Sequence, residues 1–261
     1  RYVNETGRTY VGWSWRAGST DTNEVYNADS GFSIVKWTGD DDEMSGDAQR
    51  VSHHLGVAPE LILAKNRWNN GSPDNYNWQV YHKDIGASKY LILNSSAAEA
   101  SYDTNNAIVP YSTTDVDFRD DMGMSDTIYM NQGSGMGSAE TYVAYLFASV
   151  EGYSKVGSYT GNNSVDGSFV YTGFRPAFVL VKSISTSYSW YIFDSKREPS
   201  NVMSDFMLAD SDGAEQSYVT LDFNSNGFKF RTTGVGVNGP STTDYIYYAV
   251  AESPFKYANA R

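Results

Sequence analysis

GVAPELILAK at Gly56–Lys65 and GFRPAFVLVK at Gly173–Lys182 share Gly, Pro, Leu and Lys in register. Each opens on a Gly-x-x-Pro turn, because proline presets a turn φ and cannot sit in a central ladder. Each continues as a short apolar run of the buried-strand type and closes on a lysine at the expected end of the sheet.

The pairing extends outward in both directions. GFSIVKWTG at Gly31–Gly39 stands against GYSKVGSYTG at Gly152–Gly161 with one gap, and NWQVY at Asn77–Tyr81 against SWYIF at Ser189–Phe193. AEASY at Ala98–Tyr102 matches AEQSY at Ala214–Tyr218. Asp117 and Phe118 align with Asp222 and Phe223, the Gly123 turn with Gly227, and TYVAYLFA at Thr141–Ala148 with DYIYYAVA at Asp244–Ala251. The blocks are collinear and their offset shrinks steadily. Length changes confined to loops produce that drift, since a strand cannot slip by one residue without turning its core side chains to solvent. The expectation is a tandem duplication: residues 1–27 an N-terminal strand and linker, residues 28–150 the first unit, residues 151–261 the second.

Composition agrees. With 21 Tyr, 12 Phe, 6 Trp and only 19 % charged residues, the chain favours strands and tight turns over helices. Trp78 with Val80, and Trp190 with Ile192, lie two apart and share a strand face, expected to be the core face. LDFNSNGFKFRT reads as a hairpin about Asn226 and Gly227, a pair suited to a tight primed turn. Roughly six to eight short strands per unit predict an all-β protein of two β-sandwich, jelly-roll-like domains. A propeller would repeat every ~40–50 residues, less than half the observed period.

TYVGWSW at Thr9–Trp15 resembles the closing strand of both units, yet no unit precedes it. Val11, Trp13 and Trp15 alternate with Tyr10, Gly12 and Ser14, as in a strand with one buried face. An unpaired strand carrying two tryptophans invites a partner, so residues 1–18 are expected to contribute to assembly. The alternative is packing on the chain's own two units. An opening Arg in place of Met fits a portion of a longer protein.

Net charge of −12 and a pI near 4.6 argue against nucleic acid or an anionic membrane as partner. No run approaches the ~20 apolar residues of a membrane-spanning helix. The absence of cysteine excludes disulfides and thiolate metal sites. His53 and His54 are adjacent and must point to opposite faces, while His82 is replaced by Asp194 in the second unit; all three are expected at the surface or an edge. Asp40, Asp41, Asp42, Glu43 and Asp47 offer hard oxygen ligands, but in consecutive positions, and the second unit has only Asp166 there. A solvated loop is expected. Glu99 and Glu215 occupy equivalent positions, which points to a shared structural bond more than to facing glycosidase carboxylates. GSGMG at Gly133–Gly137 precedes a strand and not a helix, so it is no dinucleotide fingerprint. Trp68, Tyr76, Tyr188 and Tyr191 lie in Asn/Ser/Gly-rich surroundings, where rings either stack on sugars or pack. No catalytic residue, no metal and no cofactor is expected, and the ligand-binding residues stay open.

VGSYTGN, YTGFRPAFVLVK, WYIFD, the Asn-Gly-Phe hairpin and YAVAESPFKYANAR together resemble a repeat module of unknown function found in mostly marine bacteriophage virion structural and tail-fibre-like proteins. The resemblance is carried by Gly173, Phe174, Pro176, Lys182, Trp190, Ala249, Ala251, Glu252, Pro254 and Phe255. TYVGWSWRAG looks like the strand that precedes such modules. The first unit departs from the pattern, with Val57 at the position of Phe174 and no closing Glu-x-Pro-Phe. The resemblance implies a non-enzymatic virion structural protein, as a capsid-surface fibre or decoration or a tail fibre. It also implies contacts with copies of itself or other virion proteins, in a homo-oligomer, and a contribution to host-surface adhesion. The alternative is a carbohydrate-binding, lectin-like module of a larger secreted or surface protein.

Overall fold

The computed structural model describes residues 6–7, 10–15, 19–20, 24–38, 49–67, 77–102, 108–118 and 141–253. The first unit holds β3 (Phe32–Thr38), β4 (Gln49–Ser52), β5 (Leu61–Asn66), β6 (Gln79–His82), β7 (Lys89–Ile92), β8 (Ala100–Ser101), β9 (Ile108–Pro110), β10 (Asp115–Phe118) and β11 (Thr141–Phe147), and its sheet is extended by β1 (Ser19–Thr20) and β2 (Glu24–Asn27) from the stretch read as strand and linker, β2 pairing with β3. The second holds β12 (Ser154–Thr160), β13 (Phe169–Tyr171), β14 (Pro176–Ser183), β15 (Tyr191–Asp194), β16 (Met203–Leu208), β17 (Gln216–Asn224), β18 (Gly227–Phe230) and β19 (Asp244–Ala251), with one short helix, α1 (Val235–Asn238). The protein is all-β.

In the first unit an eight-stranded sheet, β1-β2-β3-β11-β5-β6-β7-β8, faces a three-stranded sheet, β4-β10-β9. The second unit makes both layers from one eight-stranded sheet, β12-β19-β14-β15-β16-β17-β18-β13. There β17 serves both layers, pairing β16 through its first half and β18 through its second. The sheet curls until its ends nearly meet: Ser168 Oγ, just before β13, donates to the Thr160 carbonyl of β12 at 2.9 Å. The order β3, β11, β5, β6, β7, β8, then β9, β10, β4, follows β12, β19, β14, β15, β16, β17, β18, β13, with β17 in the place of both β8 and β9.

One aligned block moves. Asp117 and Phe118 belong to β10, which lies between β9 and β4, whereas Asp222 and Phe223 belong to β17. The counterpart of β10 is β18, and the rings agree. Phe118 stacks on Trp37 at 4.2 Å, and Trp37 on Tyr142 at 5.2 Å and 12°. In the second unit Phe230 stacks on Tyr159 at 5.8 Å, and Tyr159 on Tyr245 at 4.9 Å and 12°. By strand order and ring packing, Phe118 stands with Phe230 and not with Phe223.

The continuous apolar runs follow from burial on both faces. Along β14, Val179 and Val181 enter the second unit's own core, and Phe178 and Leu180 point the other way. Along β5, Ile62 and Ala64 enter the first unit's core while Leu61 points away. The outward sets meet in a third core between the units, with Phe32, Leu61, Val80, Phe147, Phe178, Leu180, Trp190, Ile246 and Tyr248. Fully burying each large apolar side chain is worth roughly 1.5–3 kcal/mol, so this shared core welds the units together. Trp190 Nε1 donates to the Ile92 carbonyl at 2.8 Å and Glu99 N to the Ile184 carbonyl at 2.8 Å across the same junction. At the joint, Ser149 N and Oγ donate to Glu60, which Lys83 holds at 2.6 Å.

Trp190, only 2 % exposed, therefore fills the shared core and not the interior of its own unit. Trp78 is half-buried, stacked on Tyr145 at 5.7 Å with the Lys65 ammonium 5.7 Å from its ring. The expectation that both rings lie in the unit cores is corrected, because a period of two identifies a face without saying what covers it.

Tyr10–Trp15 makes no ladder. Val11, Trp13 and Trp15 are nonetheless half-buried while Tyr10, Gly12 and Ser14 are exposed. Trp15 packs on Phe32, Phe147 and Phe178 and donates to Tyr248 Oη at 3.3 Å. Trp13 meets Phe178 edge-on at 5.7 Å beneath Arg197. These rings cap the seam between the two sheets, so the case for assembly that rested on two uncovered tryptophans is withdrawn. Thr9 and residues 16–18 lie outside the described residues.

Candidate functional site

The histidines are not where the sequence puts them. His53 and His82 are buried, His53 just past the end of β4 and His82 as the last residue of β6, all four of whose residues are buried. His53 Nδ1 accepts from Leu55 N at 3.2 Å, and burial lowers its pKa. His82 Nδ1 accepts from Asp84 N at 3.2 Å, and burial pulls its pKa down to about 4 against the opposing pull of Asp84. Each ring caps a turn two residues on, and the backbone of Ser112 beside His53 and of Tyr247 beside His82 opposes the effect of burial. His82 borders a small cavity with Leu61, Leu180, Trp190 and Tyr248. Asp194 caps the same turn in the second unit, accepting from Lys196 N at 3.1 Å and binding the Arg197 guanidinium. Only His54 is exposed, at φ 47° and stacked on Tyr26 at 5.2 Å; neither it nor His53 lies in a strand.

Glu99 pairs with Lys89 at 2.5 Å and Glu215 with Arg197 at 3.3 Å. Glu99 ties the β7–β8 hairpin, and Glu215, just before β17, reaches Arg197 in the turn after β15. Among the described residues no three His, Asp or Glu side chains cluster as metal ligands. The loop carrying Asp40–Asp47, the glycine run at 133–137, and Trp68 and Tyr76 lie outside the described residues.

Tyr188 and Tyr191 belong to a larger cluster at one end of the second unit. The antiparallel ladders bring there the end of β14, the start of β15, the turn after β16, the start of β17, and α1. Tyr191 is buried, its ring pressed on Gly236 of α1, where a Cβ would stand 2.4 Å from Oη. Burial first, then Tyr218, Tyr188 and Asp210, push its phenol up. Tyr218 is 63 % exposed and edge-on to Phe206 at 4.9 Å, and Tyr188 is 37 % exposed. Asp210 Oδ1 accepts from Trp190 N at 2.9 Å. Beneath it Lys182 is fully buried, its ammonium donating to the carbonyls of Ser183 at 2.7 Å, Ser96 at 3.4 Å and Thr186 at 3.5 Å. Burial draws its pKa down to about 8, opposed by Asp210. The lysine read as marking a sheet end is thus an internal tie between the units.

Nothing in the sequence links Tyr218 and Asp210 to Tyr188, since each lies about 20 residues or more away and no spacing marks them as a group. The rings can stack on a ligand, and the phenol that burial keeps neutral at Tyr191 can donate a hydrogen bond. The cluster suits binding. The family model described as Domain of unknown function (DUF7483) matches residues 1–254, and the chain belongs to that family. No curated protein and no solved structure matches it.

Proposed function

We propose that this chain of the DUF7483 family is a non-enzymatic bacteriophage virion structural protein, displayed on the particle surface as a capsid fibre or decoration or within a tail fibre. In this reading two duplicated sandwiches form one body, which contacts copies of itself or other virion proteins and contributes to host attachment. The observation that carries it is the apolar core shared by the units. A particle-surface protein without disulfides must draw its durability from packing, and the shared core supplies a third layer of it. The common strand order and the twin aromatic stacks support duplication, and the module resemblance supports the phage setting. A charge of −12 disfavours nucleic acid as the partner.

The exposed tyrosines favour a second reading, a lectin-like module of a larger secreted or surface protein. Antibody labelling of purified virions under the electron microscope separates the two. Label at discrete capsid or tail positions is the expected result, and unlabelled particles from cells that make the protein would count against the phage reading.

A further inference from the structure

Two large apolar side chains that remain exposed share one three-residue strand. Phe169 (46 %) and Tyr171 (59 %) point outward from β13 on either side of buried Val170. Same-face neighbours on a strand stand about 6.5–7 Å apart. Their rings are laid down on glycines. A Cβ on Gly227, the buried start of β18, would stand 2.8 Å from Phe169 Cζ and 3.1 Å from Cε2, so this ring lies across the neighbouring backbone. A Cβ on Gly173, at φ +90°, would stand 3.6 Å from Tyr171 Oη. The Lys155 ammonium lies 5.2 Å from the Tyr171 ring centroid. Beside Phe169, its cross-strand partner Lys229 pairs with Asp166 at 2.6 Å, and Arg231 with Asp166 at 3.2 Å and Asp222 at 2.6 Å.

The chemistry of that surface selects its occupant. A protein partner would have to strip water from the whole ionic ladder, which is costly. An added strand is disfavoured because the outer edge of β13 already faces β12. Nucleic acid bases stack on such rings, but a chain of charge −12 repels a phosphate backbone. A sugar meets none of these objections. The C–H face of a pyranose is apolar and slightly positive, matching the negative face of an aromatic ring, and its hydroxyls replace water around the ion pairs one for one.

We propose that the outer face of β13 is a saccharide-binding shelf, with Phe169 and Tyr171 stacking on rings of a neutral polysaccharide and Lys229, Arg231 and Asp166 bonding its hydroxyls. The proposal rests on the adhesive reading above and gives adhesion a place and a ligand class. Native gels cast with laminarin, mannan or hydroxyethylcellulose test it, with a carrageenan gel as the sulfated counterpart. The full chain should be retarded in at least one neutral gel. Phe169→Ala and Tyr171→Ala should each weaken that retardation tenfold or more. Tyr171→Phe keeps the ring and should retain it, and Tyr111→Ala, an exposed ring on the first unit, should leave it unchanged. Far-ultraviolet circular dichroism checks that each variant is folded. Retardation that survives both alanine variants would refute the shelf while leaving adhesion at another surface. No retardation in any neutral gel, or retardation in carrageenan alone, would overturn the proposal. If binding follows the two rings but virions carry no label, the shelf stands and the phage reading falls.

Discussion

Acidification should weaken this protein through His82. The ring is buried at the junction of the units, and its Nδ1 lone pair accepts the Asp84 amide proton. Protonation removes that acceptor and places a charge among Leu61, Leu180 and Trp190. The folded pKa is about 4, against 6.5 for the free side chain. Between those values the unfolded chain binds a proton that the folded chain refuses, so stability is lost as pH falls from about 6.5 towards 4. A gap of about 2.5 units at 1.36 kcal/mol each is about 3 kcal/mol in full, and about 2 kcal/mol is reached by pH 4.5. His82→Asn is the control, because asparagine can cap the turn as Asp194 does in the second unit and does not titrate. Denaturant midpoints at pH 7 and pH 4.5 should show the wild type losing about 2 kcal/mol more than the variant. Losses from His53 and from carboxylates such as Glu60 occur in both proteins and cancel. Equal losses would mean that His82 is charged or solvated in the folded state, and the reasoning would fail.

Trp190→Ala should cost about 3–5 kcal/mol, since the ring is buried in the shared core; Trp78→Ala, half-buried, should cost markedly less, and equal losses in urea would contradict the two placements. Lys182, with a folded pKa of about 8 against 10.5, should make the wild type gain stability relative to Lys182→Met as pH rises from 7.5 to 9.5, because there the unfolded chain holds more protons. A relative loss over that range would show that its carbonyl contacts outweigh burial. Truncation to a chain starting at Ser19 removes Trp13 and Trp15 from the seam, so it should lower the melting temperature without changing the oligomeric state in light scattering. A fall in oligomeric state with an unchanged melting temperature would restore the assembly role.

The β class, the strand at Pro176–Ser183 and the alternation through Val11, Trp13 and Trp15 were all readable in the residues, because period-two patterning, turn chemistry and ring-rich composition are local properties. The run AFVLV even declared that both of its faces were covered. What covered them was decided by the fold: Val179 and Val181 face their own unit and Phe178 and Leu180 the other, a division that depends on how two sheets meet. For the same reason the burial of His53 and His82 is not legible in the sequence. Their burial is set by neighbours distant in sequence, and the likeness of His82 to Asp194 lies in one backbone N–H that each accepts. The match of Phe118 to Phe230 likewise waited on strand order, since two identical dipeptides outweigh a stack of rings until the chain is folded. Tyr218 and Asp210 join Tyr188 and Tyr191, and Phe169 comes to rest on Gly227, only because antiparallel pairing brings remote strand ends together. Local pattern determined the strands; the surfaces they form were decided by long-range register and by which apolar faces found each other.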